Sequence, residues 1–179
     1  MDNIQYRKDL PALLPFESVG VELGVFEGTY SQELWSSEKF KELHLVDPFE
    51  GKIGSGDKDG LNYKNLKGDY LYKINKANFS EFNNVHIHRQ KSIPFLKETA
   101  DDVFNFVYID TTHVYKDTLD ELKESFRTIK NGGILAGHDL NLDGSGVKMA
   151  LADFCAEYKQ KFSVVYGDKL HSFYIKVNK

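Results

Sequence analysis

Short apolar runs alternate with longer stretches of helical spacing along most of the chain, and a chain patterned this way has few ways to fold. Parallel strands need a crossover between them, and an intervening helix supplies it. Ser18 to Leu23 (SVGVEL) reads as the first strand, with a helix over Gly28 to Ser36 that Thr29 or Ser31 is available to cap. Glu42 to Val46 is the second strand and ends at Asp47-Pro48. Val85 to His88 alternates apolar and polar residues, as an edge strand with one wet face does. A short helix, Ile93 to Thr99, leads to a fourth strand, Phe104 to Ile109, that ends at Asp110. Leu119, Leu122, Phe126 and Ile129 recur at helical spacing within Tyr115 to Ile129, and Lys130-Asn131-Gly132-Gly133 stops that helix. Ile134 to Ala136 is the fifth strand, ending at His138-Asp139, and Val147 to Tyr158 is the last helix. Phe162 to Tyr166 and Ser172 to Val177 are joined too briefly for a crossover, so they pair antiparallel. The expectation is an α/β, doubly wound, mostly parallel seven-stranded sheet with an antiparallel C-terminal strand pair.

A length of 179 residues suits one domain over 1–179, and 13 Phe and 10 Tyr supply a core without metal or disulfide. The segment 50–82 interrupts the alternation: it opens with loop chemistry, Gly51 to Gly60, becomes helical from about Asp69 to Phe82, and reads as a lid over the site. The lone Cys155 excludes an intrachain disulfide and favours a reducing compartment. With no run of 18 apolar residues, no apolar stretch of signal-peptide length near Met1, and a net charge of −4 without a basic block, the expectation is a cytoplasmic protein. No membrane contact and no nucleic-acid partner are expected.

The richest segment is Val21-Glu22-Leu23-Gly24-Val25-Phe26-Glu27-Gly28, between a strand and a helix. Open α/β sheets bind ligands beyond the carboxyl ends of their strands, and glycines there let a ligand approach the backbone. A pyrophosphate wants three glycines in G-x-G-x-x-G spacing, but Phe26 and Thr29 hold the second and third positions. An acid two residues before the first glycine suits S-adenosylmethionine, which carries an ammonium and a sulfonium and no phosphate. Glu22 can fix its amino-acid end, and Asp47, at the second strand's tip, can accept from both ribose hydroxyls.

The run VELGVFEGTYS resembles motif I of class I S-adenosylmethionine-dependent methyltransferases, whose Rossmann-like fold also ends in an antiparallel strand pair. VDPFEG and YIDTTHVYKDTLDELKESFRTIKNGGILAGHD resemble, more narrowly, the small-molecule and sugar O-methyltransferases of macrolide and aminocoumarin type. The resemblance implies that Glu22, Gly24, Phe26 and Gly28 line the methionine end of the cofactor. It implies Asp47 at the ribose, Phe49, Lys91 and Ser92 at the adenine, and Asp110 near the sulfonium. For Ser92 the plainer reading is a helix cap, and for Gly24 and Gly28 an ordinary turn.

Methyl transfer to a hydroxyl needs positioning and removal of a proton. Asp110, His113 and Asp139 cluster after the fourth and fifth strands, and a neutral His113 imidazole is the first choice of base. Its plainer reading is a histidine that bonds the Asp139 loop. Where the resembled subgroup often carries a second Asp that serves as base, this chain has Thr112. Some members bind Mg²⁺ through carboxylates at these tips, which would make Asp110, His138 and Asp139 the ligands. His86 and His88 read as solvated edge residues. The expected partner is a small-molecule methyl acceptor, with a homo-oligomer left open. The rival readings are a nicotinamide-dependent oxidoreductase and a non-catalytic S-adenosylmethionine-binding module.

Overall fold

The computed structural model describes residues 4–50 and 68–179. Its sheet has seven strands: β1 (Ser18–Leu23), β2 (Phe40–Val46), β3 (Val85–His88), β4 (Phe104–Ile109), β5 (Ile129–Gly137), β6 (Ser163–Val165) and β7 (Ser172–Lys176). They lie in the order β3-β2-β1-β4-β5-β7-β6. The first five are mutually parallel, and β7 runs antiparallel to both β5 and β6. Strand order reverses between β1 and β4, which is where open sheets of this kind form their ligand crevice.

The helices are α1 (Thr29–Ser36), α2 (Gly68–Asn78), α3 (Ser92–Glu98), α4 (Tyr115–Thr128) and α5 (Val147–Tyr158). Two apolar clusters divide them between the faces of the sheet. Phe95, Leu96, Leu122, Leu151 and Phe154 bring α3, α4 and α5 onto one face. Tyr30, Leu34, Leu71 and Phe79 bring α1 and α2 onto the other. All six residues of β1 are buried, as a parallel strand covered on both sides must be. The doubly wound reading and the antiparallel close are therefore both present in the structure. None of the described helices is long and apolar enough to cross a membrane.

Four local expectations are corrected. A 3-10 helix, Arg7–Leu13, occupies a stretch whose polar sequence gave no element, and it buries Leu10 and Pro11. Neither Thr29 nor Ser31 caps α1: Gly28 does, with φ 76 and no side-chain bond, because Ser31 turns its hydroxyl inward to Glu22. The strand after α4 begins at Ile129 rather than Ile134, since Ile129 already pairs with Phe104 and the glycine-rich run is taken up as an irregularity in register. Finally, His86 and His88 are not separate wet residues. His88 Nε2 lies 3.0 Å from His44 Nδ1, and His44 and His86 both reach Glu42 Oε1, at 3.3 and 3.2 Å. Of the segment 50–82, residues 51–67 lie outside the described residues. α2 packs firmly, burying Leu71 and Asn75.

His44 also faces the rings of Phe95 and Phe104. Burial first, and then the neighbouring His88, hold its pKa down at about 4 against the pull of Glu42. Between the unfolded value of 6.5 and about 4, the unfolded chain binds a proton that the folded chain refuses. Stability is therefore complete above that window and falls as pH drops through it, by on the order of 2 kcal/mol. Chemical denaturation at stepped pH should show this loss, and His44→Phe should flatten it.

Candidate functional site at the carboxyl ends of the strands

Backbone hydrogen bonds continue one residue past four strands. Gly24 N donates to Val46 O at 2.9 Å, Asp47 N to His88 O at 3.1 Å, Asp110 N to Leu23 O at 2.8 Å and His138 N to Ile109 O at 3.1 Å. The tips on either side of the switch point are thereby held level. The turn after β1 depends on glycine: Gly24 has φ 88, and a Cβ there would fall 1.8 Å from the Asp110 carbonyl oxygen.

Left-handed backbone marks the same place. Phe26, Phe49, His113 and Asp139 have φ between 50 and 59, and all follow the carboxyl ends of β1, β2, β4 and β5. The other non-glycine residues of this kind, Glu17, Glu38, Asp102 and Lys159, lie before strands or after α5. Bulky side chains avoid this conformation, and residues held in it cluster at functional sites.

Asp47 organises the β1 loop. Its Oδ2 accepts from Val25 N and Phe26 N at 2.9 and 3.0 Å, and its Oδ1 from Phe49 N at 2.6 Å. A carboxylate offers about four acceptor positions, so the side chain is largely, not wholly, engaged. Asn75 of α2 supports the loop from behind, donating to Phe26 O at 2.8 Å and Leu71 O at 3.0 Å while its buried Oδ1 has no hydrogen-bond partner among the described residues. A Cβ on Gly28 would meet that Oδ1 at 2.1 Å.

Glu22 is 2% exposed and receives the Ser31 hydroxyl. Burial pushes its carboxyl up to about 8, against the Ser31 bond and with a smaller push from Asp110. No cation among the described residues forms an ion pair with it. It is a buried acid prepared for a positive charge that its own neighbours do not bring into contact.

At the tips of β4 and β5 the charges interlock. His113 Nε2 lies 2.6 Å from Asp139 Oδ2 and 3.3 Å from Asp110 Oδ1. His138 Nδ1 lies 3.2 Å from Asp139 Oδ1 and 3.8 Å from Asp110 Oδ2. Desolvation disfavours the charged imidazole, but the bonds and charges of Asp110 and Asp139 outweigh it and push His113 up to about 10. An Nε2 that faces two carboxylates carries the proton, so the premise of a neutral imidazole base does not hold here. The same bonds from His113 and His138 outweigh burial at Asp139 and pull it far below the carboxylate range. The Thr112 hydroxyl donates to Asp117 at 2.9 Å, away from the cluster.

The described residues contain one group compact enough for a metal, Asp110, His113 and Asp139, whose ligand atoms lie within 4.8 Å of one another. The expected trio had His138 in place of His113. The imidazole of the observed group departs from the all-oxygen shell that Mg²⁺ prefers, and His113 is bonded to Asp139 at 2.6 Å.

The adenine side is less well met. Phe49 is 2% exposed and packs against Tyr72, so its ring belongs to the core. Lys91 precedes α3 without capping it through its side chain. Ser92 gives its hydroxyl to Glu121, as Thr111 does at 2.7 Å. Burial raises the Glu121 carboxyl to about 7, against those two bonds. Glu121 was missed because it sits beside the apolar stripe of α4 and reads as surface. Arg7 was missed as well: its guanidinium lies 4.7 Å over the Tyr30 ring and 3.6 Å from Asp110 Oδ2, a long-range arrangement with no local signal.

Residues 21–140 match the family model described as a methyltransferase domain. The chain belongs to the methyltransferase-domain family. Its fold is that of the S-adenosylmethionine-dependent methyltransferases. No curated protein sequence matches it significantly. Among solved structures it is similar to spermidine synthase from Thermotoga maritima, with 14% identity and a TM-score of 0.65 over 99% of this chain and 61% of that one. This methyltransferase-family chain thus spans about three-fifths of that protein's length. It is also similar to the O-methyltransferase NovP (16% identity, TM-score 0.63, 96% of this chain and 76% of that one). A third is an S-adenosylmethionine-dependent O-methyltransferase from Thermotoga maritima (10%, 0.64, 97% and 66%). At these identities the likeness is one of fold.

Asn75→Ala should remove the bond to the Phe26 carbonyl and lower unfolding stability by about 1–3 kcal/mol. Urea denaturation of the variant against the parent checks this.

Proposed function

We propose that the chain transfers a methyl group from S-adenosylmethionine to the oxygen of a small molecule. The observation that carries the reading is the buried Glu22, raised to about 8 and without an ion pair, one strand from the acid at the tip of β2. A ligand with an ammonium and a ribose, and no phosphate, matches that pair. S-adenosylmethionine supplies, when bound, a methyl group already activated on sulfur. The chain's part is to bind and orient: Glu22 toward the ammonium, Asp47 toward the ribose, and the Gly24 to Gly28 turn along the methionine end. Asp110 stands beside the reacting end, with Asp139 behind it, and His113 fixes both carboxylates rather than removing a proton. The acceptor is expected over β4 and β5, between the loop 141–146 and the segment 50–82, which we take as a lid.

The alternative of a dinucleotide oxidoreductase loses its support with the family match and the Phe26 turn. A non-catalytic binding module is an outcome of the test: cofactor bound, and no methyl transferred to any of a broad panel of hydroxyl acceptors.

Asp47→Ala should weaken S-adenosylhomocysteine by about 1–3 kcal/mol in calorimetry, and unchanged affinity would remove Asp47 from the ribose. Because burial holds Glu22 protonated and an ammonium would ionise it, binding should release up to about one proton near neutral pH. Affinity should then rise between about pH 6 and 8, and titration in buffers of different ionisation enthalpy measures the release. EDTA should leave turnover unchanged, and its loss on chelation would restore the metal.

A further inference from the structure

The N-terminal 3-10 helix is tied down around one side chain. Arg7 N donates to Asp168 Oδ2 at 2.9 Å, the Tyr30 hydroxyl donates to Arg7 O at 3.0 Å, and Gly167 N donates to Gln5 O at 2.8 Å. Asp168 Oδ2 also accepts from Ser172 Oγ at 3.3 Å, and Ser172 stands 3.5 Å from the Tyr108 hydroxyl. The Arg7 backbone is therefore anchored to α1 and to the start of β7, and its guanidinium is laid over the Tyr30 ring beside Tyr108. The seam fixes the Arg7 backbone, from which the side chain reaches Asp110.

The guanidinium also bonds the Tyr108 hydroxyl, and that bond does not use all of its donors. A separation of 3.6 Å from Asp110 Oδ2 is an ion pair without a hydrogen bond, and arginine has five donors in a fixed fork. A quarter of the side chain is exposed. The Asp110 and Asp139 carboxylates are meanwhile shared with His113 and His138, and Thr112 offers no acid where a base would stand. The chain thus sets a permanent cation, in place of a free base, beside Asp110.

Building on the methyl-transfer reading, we propose that Arg7 is the acceptor-recognition residue and that the acceptor enters as an oxyanion, a carboxylate or an ionised phenol. Its lone pair forms the new O–CH₃ bond as the S–CH₃ bond breaks, and neutral S-adenosylhomocysteine leaves. No proton has to be taken by the enzyme. Arg7 holds the anion bidentately or from one edge, and the Tyr30 ring keeps the fork in place.

The experiment titrates the 179-residue chain, loaded with S-adenosylhomocysteine, with benzoate, with 4-nitrophenolate and with neutral benzyl alcohol. At least one anion should bind about tenfold tighter than the alcohol. Arg7→Gln should erase that preference, and Arg7→Lys should keep part of it, with S-adenosylhomocysteine still bound by both variants. Labelled methyl transfer to each probe then separates carboxylate from phenolate. Anions that bind no tighter than benzyl alcohol, or a preference that survives Arg7→Gln, overturn the proposal. A chain that takes no S-adenosylhomocysteine at all defeats the methyl-transfer reading instead, and the same titrations without cofactor still report on Arg7.

Discussion

The backbone of β4 crosses Gly24 so closely that no side chain could stand there, and the cleft follows from that contact. With φ 88 at Gly24, the chain leaves β1 sharply and the Asp110 carbonyl moves into the space a Cβ would take. Glu22, Asp47 and Asp110 are then carried on three strand ends held level by hydrogen bonds. A bulkier residue would have to push the β1 and β4 tips apart, separating the acid of one from the acid of the other. Four bulky residues in left-handed backbone around this point are tolerated because loops, α2 and the strand ladder over-determine their positions.

The cleft has two electrostatic characters, set by what is left unpaired. Around β1 the buried Glu22 has a hydroxyl but no ion pair among the described residues, and the nearby charge of Arg7 does not overcome the burial that keeps it neutral. Around β4 and β5 every acid has a cationic neighbour, and Arg7 has donors to spare. A cationic cofactor on one side and an anionic acceptor on the other would complement both walls. The 3-10 helix supplies the second wall, and α2, through Asn75, steadies the first.

The sheet was legible because parallel strands buried on both faces leave near-continuous apolar runs. Ser18–Leu23 and Phe104–Ile109 coincide with their sequence readings residue for residue, and so does the edge strand Val85–His88, which was read from its alternation instead. β5 read short because Gly132 and Gly133 signal a turn, yet the β4 register accommodates them. The tips of β1, β2, β4 and β5 could be found because glycines and acids end those runs. What those side chains do with one another could not. That Phe49 turns into the core, that Ser92 turns to Glu121, and that His113 is held between two carboxylates are outcomes of packing between distant segments. Arg7 lies 103 residues before the Asp110 it faces, and nothing in its local sequence marks it.

A crystal structure of the chain with S-adenosylhomocysteine tests the central claim most directly. The ribose should appear against the Asp47 carboxylate, the amino group toward Glu22, and the sulfur beside Asp110 with its open side toward Arg7. A nucleoside bound elsewhere, or a cleft that stays closed over Gly24 at saturating ligand, would contradict it.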